Sequence, residues 1–378
     1  MADDTVFDVV IVGAGIAGAS LAWRLAPQMS VALIEREPQP GYHSTGRSAA
    51  MFIESYGPPA VRALTRASRG FYERPPPSFA AAPLLAPRGA LYLAAPGQQA
   101  LLETTRAELQ TAGCMLRLLQ RDELLQHVPC LRPEAVHAGL LDDDAQDIDV
   151  HALHQGFLRG LRQQGGVQRN GAGLKTALRV GALWELRLDD DSLLRCRAVV
   201  NAAGAWADEL AGQFGAAPVG LVPCRRTAFT FRVPDGVDAS RWPAVIGVDE
   251  SYYFKPDAGQ LLGSPANADP TVAHDVMPEE LDVATGIARI EAVSTLQIRR
   301  PTSAWAGLRS FVRDGELVIG WDDTCPGFFW LAAQGGYGIQ SAAGASELAA
   351  ALLRGAPVPD DLVRHGVDPR ALSPLRLR

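Results

Sequence analysis

Residues 7–36, FDVVIVGAGIAGASLAWRLAPQMSVALIER, admit essentially one local fold. A β-branched run from Val9 to Val12 reads as a buried parallel strand and breaks at Gly13-Ala14-Gly15-Ile16-Ala17-Gly18. An alanine-rich helical stretch follows to about Ala26, and a second apolar run, Val31 to Ile34, ends in Glu35. This is a βαβ unit with a dinucleotide fingerprint inside it. Gly13 permits the tight turn, and Gly15 lets the backbone approach a pyrophosphate. Ile16 and Ala17 open the helix, whose free N–H groups and positive dipole end face the phosphates, and Gly18 lets the helix pack on the strand. Glu35, twenty residues past Gly15, ends the second strand where a carboxylate accepts from both ribose hydroxyls. It also disfavours a 2′-phosphate, a bias that the adjacent Arg36 softens.

With 378 residues, 47% of them hydrophobic, the chain is long enough for two domains with substantial cores. A net charge of −7 and the absence of basic runs argue against nucleic acid as a partner. Lys175 and Lys255 are the only lysines among 35 basic residues, a bias of genome composition rather than of function. No stretch approaches the roughly 20 apolar residues of a membrane helix, so no integral membrane segment is expected. The acidic start, Met1-Ala2-Asp3-Asp4, runs straight into the first strand and does not read as a signal peptide. Five scattered cysteines show neither metal-ligand spacing nor a disulfide framework, which suits a reducing cytoplasm.

Along the chain, Ser44, Thr45 and Ser48 are placed to cap a short helix after the Pro38–Gly41 turn. Residues 58–74 read as a helix between proline signals, 98–112 and 121–127 as helices, and 89–95 as a strand. The acidic run of Asp142, Asp143, Asp144 and Asp147 lacks the glycine and distal glutamate of a calcium loop and reads as a solvated turn; no metal site is expected. Asp149 is the N-cap of a helix whose Val150, Leu153, Phe157, Leu158 and Leu161 face a core, with His154 a core or boundary residue. Strands fill 172–201 and end at Asn201-Ala202-Ala203-Gly204-Ala205-Trp206, small residues where a doubly wound sheet places its ligand. Alternating strands occupy 225–231, 251–255 and 260–263, and a helix 278–296. Finally Gly335, Gly336 and Gly338 open an alanine-rich helix at Ile339 and Gln340, again offering backbone donors. The tail from Pro357 is expected to run over the surface. Two arginines stand in apolar settings: Arg226 in RRTAFTF and Arg309 in WAGLRSF. Each needs an anion, which is either a structural acid or the carboxylate of a substrate.

A GxGxxG unit with a terminal glutamate, followed by HSTGRSAA, resembles the flavoprotein family of D-amino-acid oxidase, glycine oxidase and sarcosine oxidase. Within it the segments QPGYHSTGRSAA, VNAAGAW, LLGSPANADP and AAQGGYGIQ look most like the bacterial D-arginine dehydrogenase branch. The resemblance implies an α/β fold, α+β overall. A Rossmann-like FAD-binding domain (1–88, 148–218, 302–378) carries an inserted substrate domain (89–147, 219–301) on a mostly antiparallel sheet. It implies FAD contacts from Ser44, Thr45, Gly46, Arg47, Ser48, Ala49 and Ala50, from Gly173 and Gly307, from Ala203, Gly204 and Trp206, and from Gly335, Gly338 and Ile339. Cys325 lies too close to the glycine-rich turn for the sarcosine branch's covalent linkage, so the FAD is expected to be non-covalent.

By the same resemblance Arg226 and Arg309 anchor a substrate carboxylate, Tyr56 and Tyr253 close the cavity, and Gln340 and the Gly336 carbonyl meet the amino group. Hydride passes from Cα to flavin N5 and no general base is required. The implied substrate is a D-amino acid. The electron acceptor is open between a quinone or dye-like acceptor and oxygen. The acid that would receive a basic side chain falls at Ala90, and Met51 and Ile53 stand where that branch has polar residues. The reading is therefore a preference for neutral, largely apolar D-amino acids, with Glu54 its main threat. The alternatives are a D-arginine-type or broad dehydrogenase, a glycine or secondary-amine oxidase, and a non-catalytic FAD subunit.

Overall fold

The structure, a computed structural model, describes residues 5–378. The βαβ unit lies at the centre of an eight-stranded sheet. Val6–Val12 runs parallel to Val31–Glu35 on one side and to Leu193–Asn201 on the other. Leu193–Asn201 splits its partners: its first half pairs antiparallel with Leu183–Leu188, and its end pairs parallel with Phe328–Ala332. This leaves the C-terminal ends of these four parallel strands opening on one side, where an open α/β sheet binds its ligand.

The helix Ile16–Leu25 packs on the sheet and against Val150–Gln163 and Gly338–Leu353. Helical glycines cost roughly 1 kcal/mol each relative to alanine, and here they make room for rings. A Cβ at Gly156 would lie 2.5 Å from Phe79, and one at Gly160 2.3 Å from Trp23. Trp23, Phe71, Phe79 and Phe157 meet edge to face or stacked, with centroids 5.0–5.7 Å apart. The helix Pro59–Glu73 starts on prolines that supply no cap, so Glu316 serves from a distant loop. Its carboxylate accepts from Ala60 N and Val61 N at 2.8 and 3.0 Å.

The second sheet has nine strands, antiparallel throughout except where Ala90–Ala94 pairs with Ala244–Gly247. Ser303–Phe311 belongs to it, paired along its length with Val222–Phe231. The segment from 302 to 311 thus joins the substrate sheet rather than the nucleotide sheet, a non-local pairing that its own pattern does not display. Met51–Phe52, Leu85–Pro87 and Gln146–Ile148 form a small third sheet.

Three further expectations change. Residues 41–47 form consecutive turns and no helix. The tail is not merely superficial, since its short helices bury Leu362 and Leu372 completely. The acidic run is partly built into the protein: Asp142 is buried against Ser55, and Asp147 pairs with both Arg88 and Lys255 at 2.7 and 2.6 Å. Only Asp143 and Asp144 behave as surface acids. No described helix is long and apolar enough to cross a membrane, and no metal-holding cluster occurs among the described residues.

Candidate active site

A cavity of about 420 Å³ runs from the Gly13 turn to Arg309, walled by both large sheets. At its nucleotide end only glycine fits. Gly13 sits at φ +104°, and a Cβ there would lie 2.4 Å from Ala202 O. One on Gly18 would lie 1.9 Å from Gly13 O. The Glu35 carboxylate is held at the strand end, accepting from Ala14 N at 2.8 Å and Glu37 N at 3.0 Å. Each oxygen keeps a lone pair for a ribose hydroxyl. Thr45 accepts from Ile16 N at 2.9 Å, which ties the second loop to the helix start. His154 donates from Nε2 to Ala14 O at 2.9 Å, and burial holds its pKa below the usual imidazole range. It is a neutral strut of the turn.

Gly15, Ile16, Ala17, Arg36, Ser44, Ser48, Gly173, Ala203, Gly204 and Trp206 line this cavity as expected, with Gly307, Gly335, Gly338 and Ile339 toward its other end. The Arg36 guanidinium stacks 3.8 Å over the Trp206 ring. Arg47 also lines it, but its guanidinium is spent on Val276 O, Ala306 O and Asp275, so it fastens the loop to the substrate sheet. Gly18, Gly46, Ala49 and Ala50 stand behind the wall.

At the far end the ladder sets Arg226 opposite Gly307 and Cys224 opposite Arg309, so the two arginines are diagonal neighbours on one face. Arg225, pointing the other way, is saturated by Asp269, Glu279 and Asp282. Arg226 donates to the Asn267 carbonyl, and neither it nor Arg309 has a carboxylate partner among the described residues. Burial and the facing Arg309 hold Arg226 below the usual arginine range. Two unneutralised guanidiniums side by side in a half-closed cavity are a receptor for an anion.

Tyr253 lines the same cavity. Tyr56 meets Tyr337 edge to face at 5.1 Å, and Tyr337 in turn meets Phe311. Tyr337 was hidden in the sequence among glycines, although a lone aromatic in Gly-Gly-Tyr-Gly is itself a signal. Burial raises its hydroxyl well above the usual phenol range. A Cβ on Gly336 would come 2.9 Å from Arg309 Nη1 and 3.6 Å from the Tyr56 hydroxyl, so this glycine seats the guanidinium.

Gln340 departs from expectation. Its amide donates to Tyr56 O at 3.2 Å and Thr65 Oγ1 at 3.1 Å, and its oxygen faces Ile53 N at 3.4 Å. It therefore braces the turn that carries Tyr56 instead of offering its amide to an amino group. The same turn is braced from the other sheet, where Ser55 donates to Asp142 at 2.8 Å and lies 3.1 Å from the Tyr92 hydroxyl.

Burial pushes the Asp142 carboxyl above its ordinary range. The folded state then holds this proton more tightly than the unfolded chain, so Asp142 costs stability at pH values above the unfolded pKa and costs nothing well below it. Asp142→Asn, which keeps an acceptor for Ser55, is expected to raise Tm at pH 8 by roughly 2 °C. The gain should shrink toward pH 4, as thermal melts across pH would show.

The profile of the family described as FAD dependent oxidoreductase matches residues 8–352. The chain belongs to this FAD-dependent oxidoreductase family. FAD is its cofactor, and the glycine cradle and the Glu35 carboxylate fit its adenosine diphosphate half. The hydrogen cyanide synthase subunit HcnC of Pseudomonas aeruginosa is 26% identical over 57% of this chain, and the match spans half of that relative's length. Glycine oxidase from Geobacillus kaustophilus superposes with a TM-score of 0.82 at 21% identity over 96% of this chain and 98% of its own. L-proline dehydrogenase from P. horikoshii gives 0.83 at 18% identity, covering 98% and 97%.

In this oxidoreductase the expected pocket residues gather as one small apolar cluster. Ile53, Ala90 and Ala145 are buried together, edged by Met51, Tyr56 and Ile246. Ala90 is fully buried, and Ile53 packs over it. Glu54 turns outward to a salt bridge with Arg69 at 2.5 Å, so its charge is neutralised away from the cavity. Cys325 is buried elsewhere, with its thiol donating to Phe214 O.

Proposed function

We propose that this flavoenzyme oxidises D-amino acids with neutral, largely apolar side chains to 2-oxo acids and ammonia. The observation that carries the reading is the unneutralised pair Arg226 and Arg309 in the cavity wall; the apolar cluster of Met51, Ile53 and Ala90 lies outside that wall, packed against Tyr56. Arg309 and Arg226 clamp the substrate carboxylate, with Tyr253 and Tyr56 standing over it. Bound FAD supplies the two-electron oxidation of the Cα–N bond. The aromatic wall of Tyr56, Tyr337 and Phe311 excludes water from the reacting carbon. A basic side chain would meet Ala90 and Ile53, and Asp142, opposite Ala90 in the ladder, is already committed to Ser55, so a charge left unpaired there costs several kcal/mol. The D configuration rests on the likeness of the loop and glycine segments to the D-amino-acid branch.

A second reading has its own support. The tight packing of Ile53 on Ala90 leaves little room for any side chain, which favours glycine or an N-substituted glycine.

Anaerobic titration of the yellow protein with single amino acids tests both. Bleaching of the flavin band by D-leucine, D-methionine or D-phenylalanine, and hardly by D-arginine, is the expected result. Bleaching by glycine or sarcosine alone favours the second reading. Bleaching mainly by D-arginine or by L-amino acids overturns the first.

A further inference from the structure

At the adenosine end of the cavity one lining side chain belongs to no motif. Asp189 opens the run Asp189-Asp190-Asp191 in the turn between Leu183–Leu188 and Leu193–Asn201. Its two followers are engaged: Asp190 accepts from the hydroxyl and amide of Ser192, and Asp191 pairs with Lys175 at 2.9 Å. The Asp189 carboxylate makes neither hydrogen bond nor ion pair with any described residue. Its backbone is nevertheless fixed, since Asp189 N donates to Gly173 O at 2.9 Å.

Gly173 explains how the carboxylate reaches the wall. Oδ2 lies 2.2 Å from where a Cβ on Gly173 would be, and Gly173 is not among the positive-φ glycines. A side chain at 173 would push the Asp189 carboxylate out of this place, and the backbone there needs no positive φ. The stem of Arg36, the residue after the ribose-binding Glu35, closes the other side at 3.4 Å. The result is a solvent-exposed carboxylate, without a partner among the described residues, in the wall of the cavity beside the residues that mark its adenosine end.

We propose that Asp189 reads the adenine ring of FAD by accepting a hydrogen bond from its 6-amino group. A carboxylate is an acceptor only. Adenine presents a donor at that position, whereas hypoxanthine and guanine present a carbonyl oxygen that a carboxylate repels. The residue therefore selects the purine of the dinucleotide as well as adding affinity.

The test is a fluorescence titration of the flavin-stripped full-length chain with FAD and with the analogue carrying hypoxanthine in place of adenine. The wild type is expected to bind FAD about tenfold or more tightly than the analogue, the difference a mismatched polar pair produces. Asp189→Ala should weaken FAD about tenfold and leave the analogue within about twofold, removing the discrimination. Asp189→Asn, whose amide can donate as well as accept, should bring the two dinucleotides close together while keeping the turn's shape. No discrimination by the wild type overturns the proposal. So does an Asp189→Ala variant that keeps the wild-type ratio, whether affinity for both dinucleotides is unchanged or equally reduced.

Discussion

Arg309→Met is expected to lower kcat/KM for the preferred amino acid by roughly 10²–10³-fold, the 2–5 kcal/mol typical of removing one member of a desolvated charge pair. The basis is the pairing of Arg309 with Arg226 on one face of the substrate sheet, with no acid among the described residues to neutralise either. Arg309→Lys should recover little, because an ammonium keeps the charge and loses the two-pronged geometry. Most of the loss should fall on KM if the arginine binds the carboxylate equally well before and during reaction. The flavin absorbance spectrum and FAD content should stay at wild-type values, since Arg309 lies at the far end of the cavity from the glycine turn. Stopped-flow flavin reduction against substrate concentration makes the measurement. A variant that stays within threefold of wild type would reassign Arg309 to a structural role.

Gly18→Val should give a colourless protein. A Cβ at position 18 would sit 1.9 Å from the Gly13 carbonyl oxygen, and both partners are backbone, so neither can yield without moving the strand or the helix. Opening that contact separates the helix start from the glycine turn, the pair expected to hold the pyrophosphate. Gly15→Ala is a useful contrast. Its Cβ would meet only the Thr45 hydroxyl, at 3.2 Å, so a side-chain adjustment suffices. FAD affinity should drop by about tenfold there, the scale of one disturbed hydrogen bond to a charged group, against complete loss at position 18. The ratio of flavin to protein absorbance after purification reads this directly, with circular dichroism to show that both variants are folded. Retention of stoichiometric FAD by Gly18→Val would remove the close packing of helix on strand as the reason for this glycine.

What was legible in the sequence was what is local. The βαβ unit, the helix capped by Asp149 and the alanine-rich helix after Gly338 each carry their signal within a dozen or so residues, and each forms where expected. Arg226 and Arg309 were legible because a charge amid apolar neighbours stands out whatever the fold. Partners distant in sequence were not. Nothing in Ser303–Phe311, one charge amid apolar residues, marks it as a strand or names Val222–Phe231 as its neighbour. Gln340 was placed beside the substrate because its position fits that role, while its bonds go to Ile53, Tyr56 and Thr65. Asp142 looked like one more acid of a surface run until the fold brought Ser55 and Tyr92 to it. Tyr337 sits among glycines whose signal is a backbone one, and only the fold sets its ring against Tyr56 and Phe311.

The turn at residues 53–56 is gripped by Gln340 from the helix beneath one sheet and by Asp142 and Tyr92 from the other. A segment fastened at both ends and in the middle moves only by breaking several hydrogen bonds together, so Tyr56 is a fixed post beside the cavity and not a swinging door. Exchange between substrate and solvent then has to pass on another side, and a more viscous solvent should slow it no more than it slows ordinary diffusion. Relative sliding of the two sheets would strain this one turn first, which makes it the hinge pin of the molecule and the place where a loosening mutation would be felt in both halves at once.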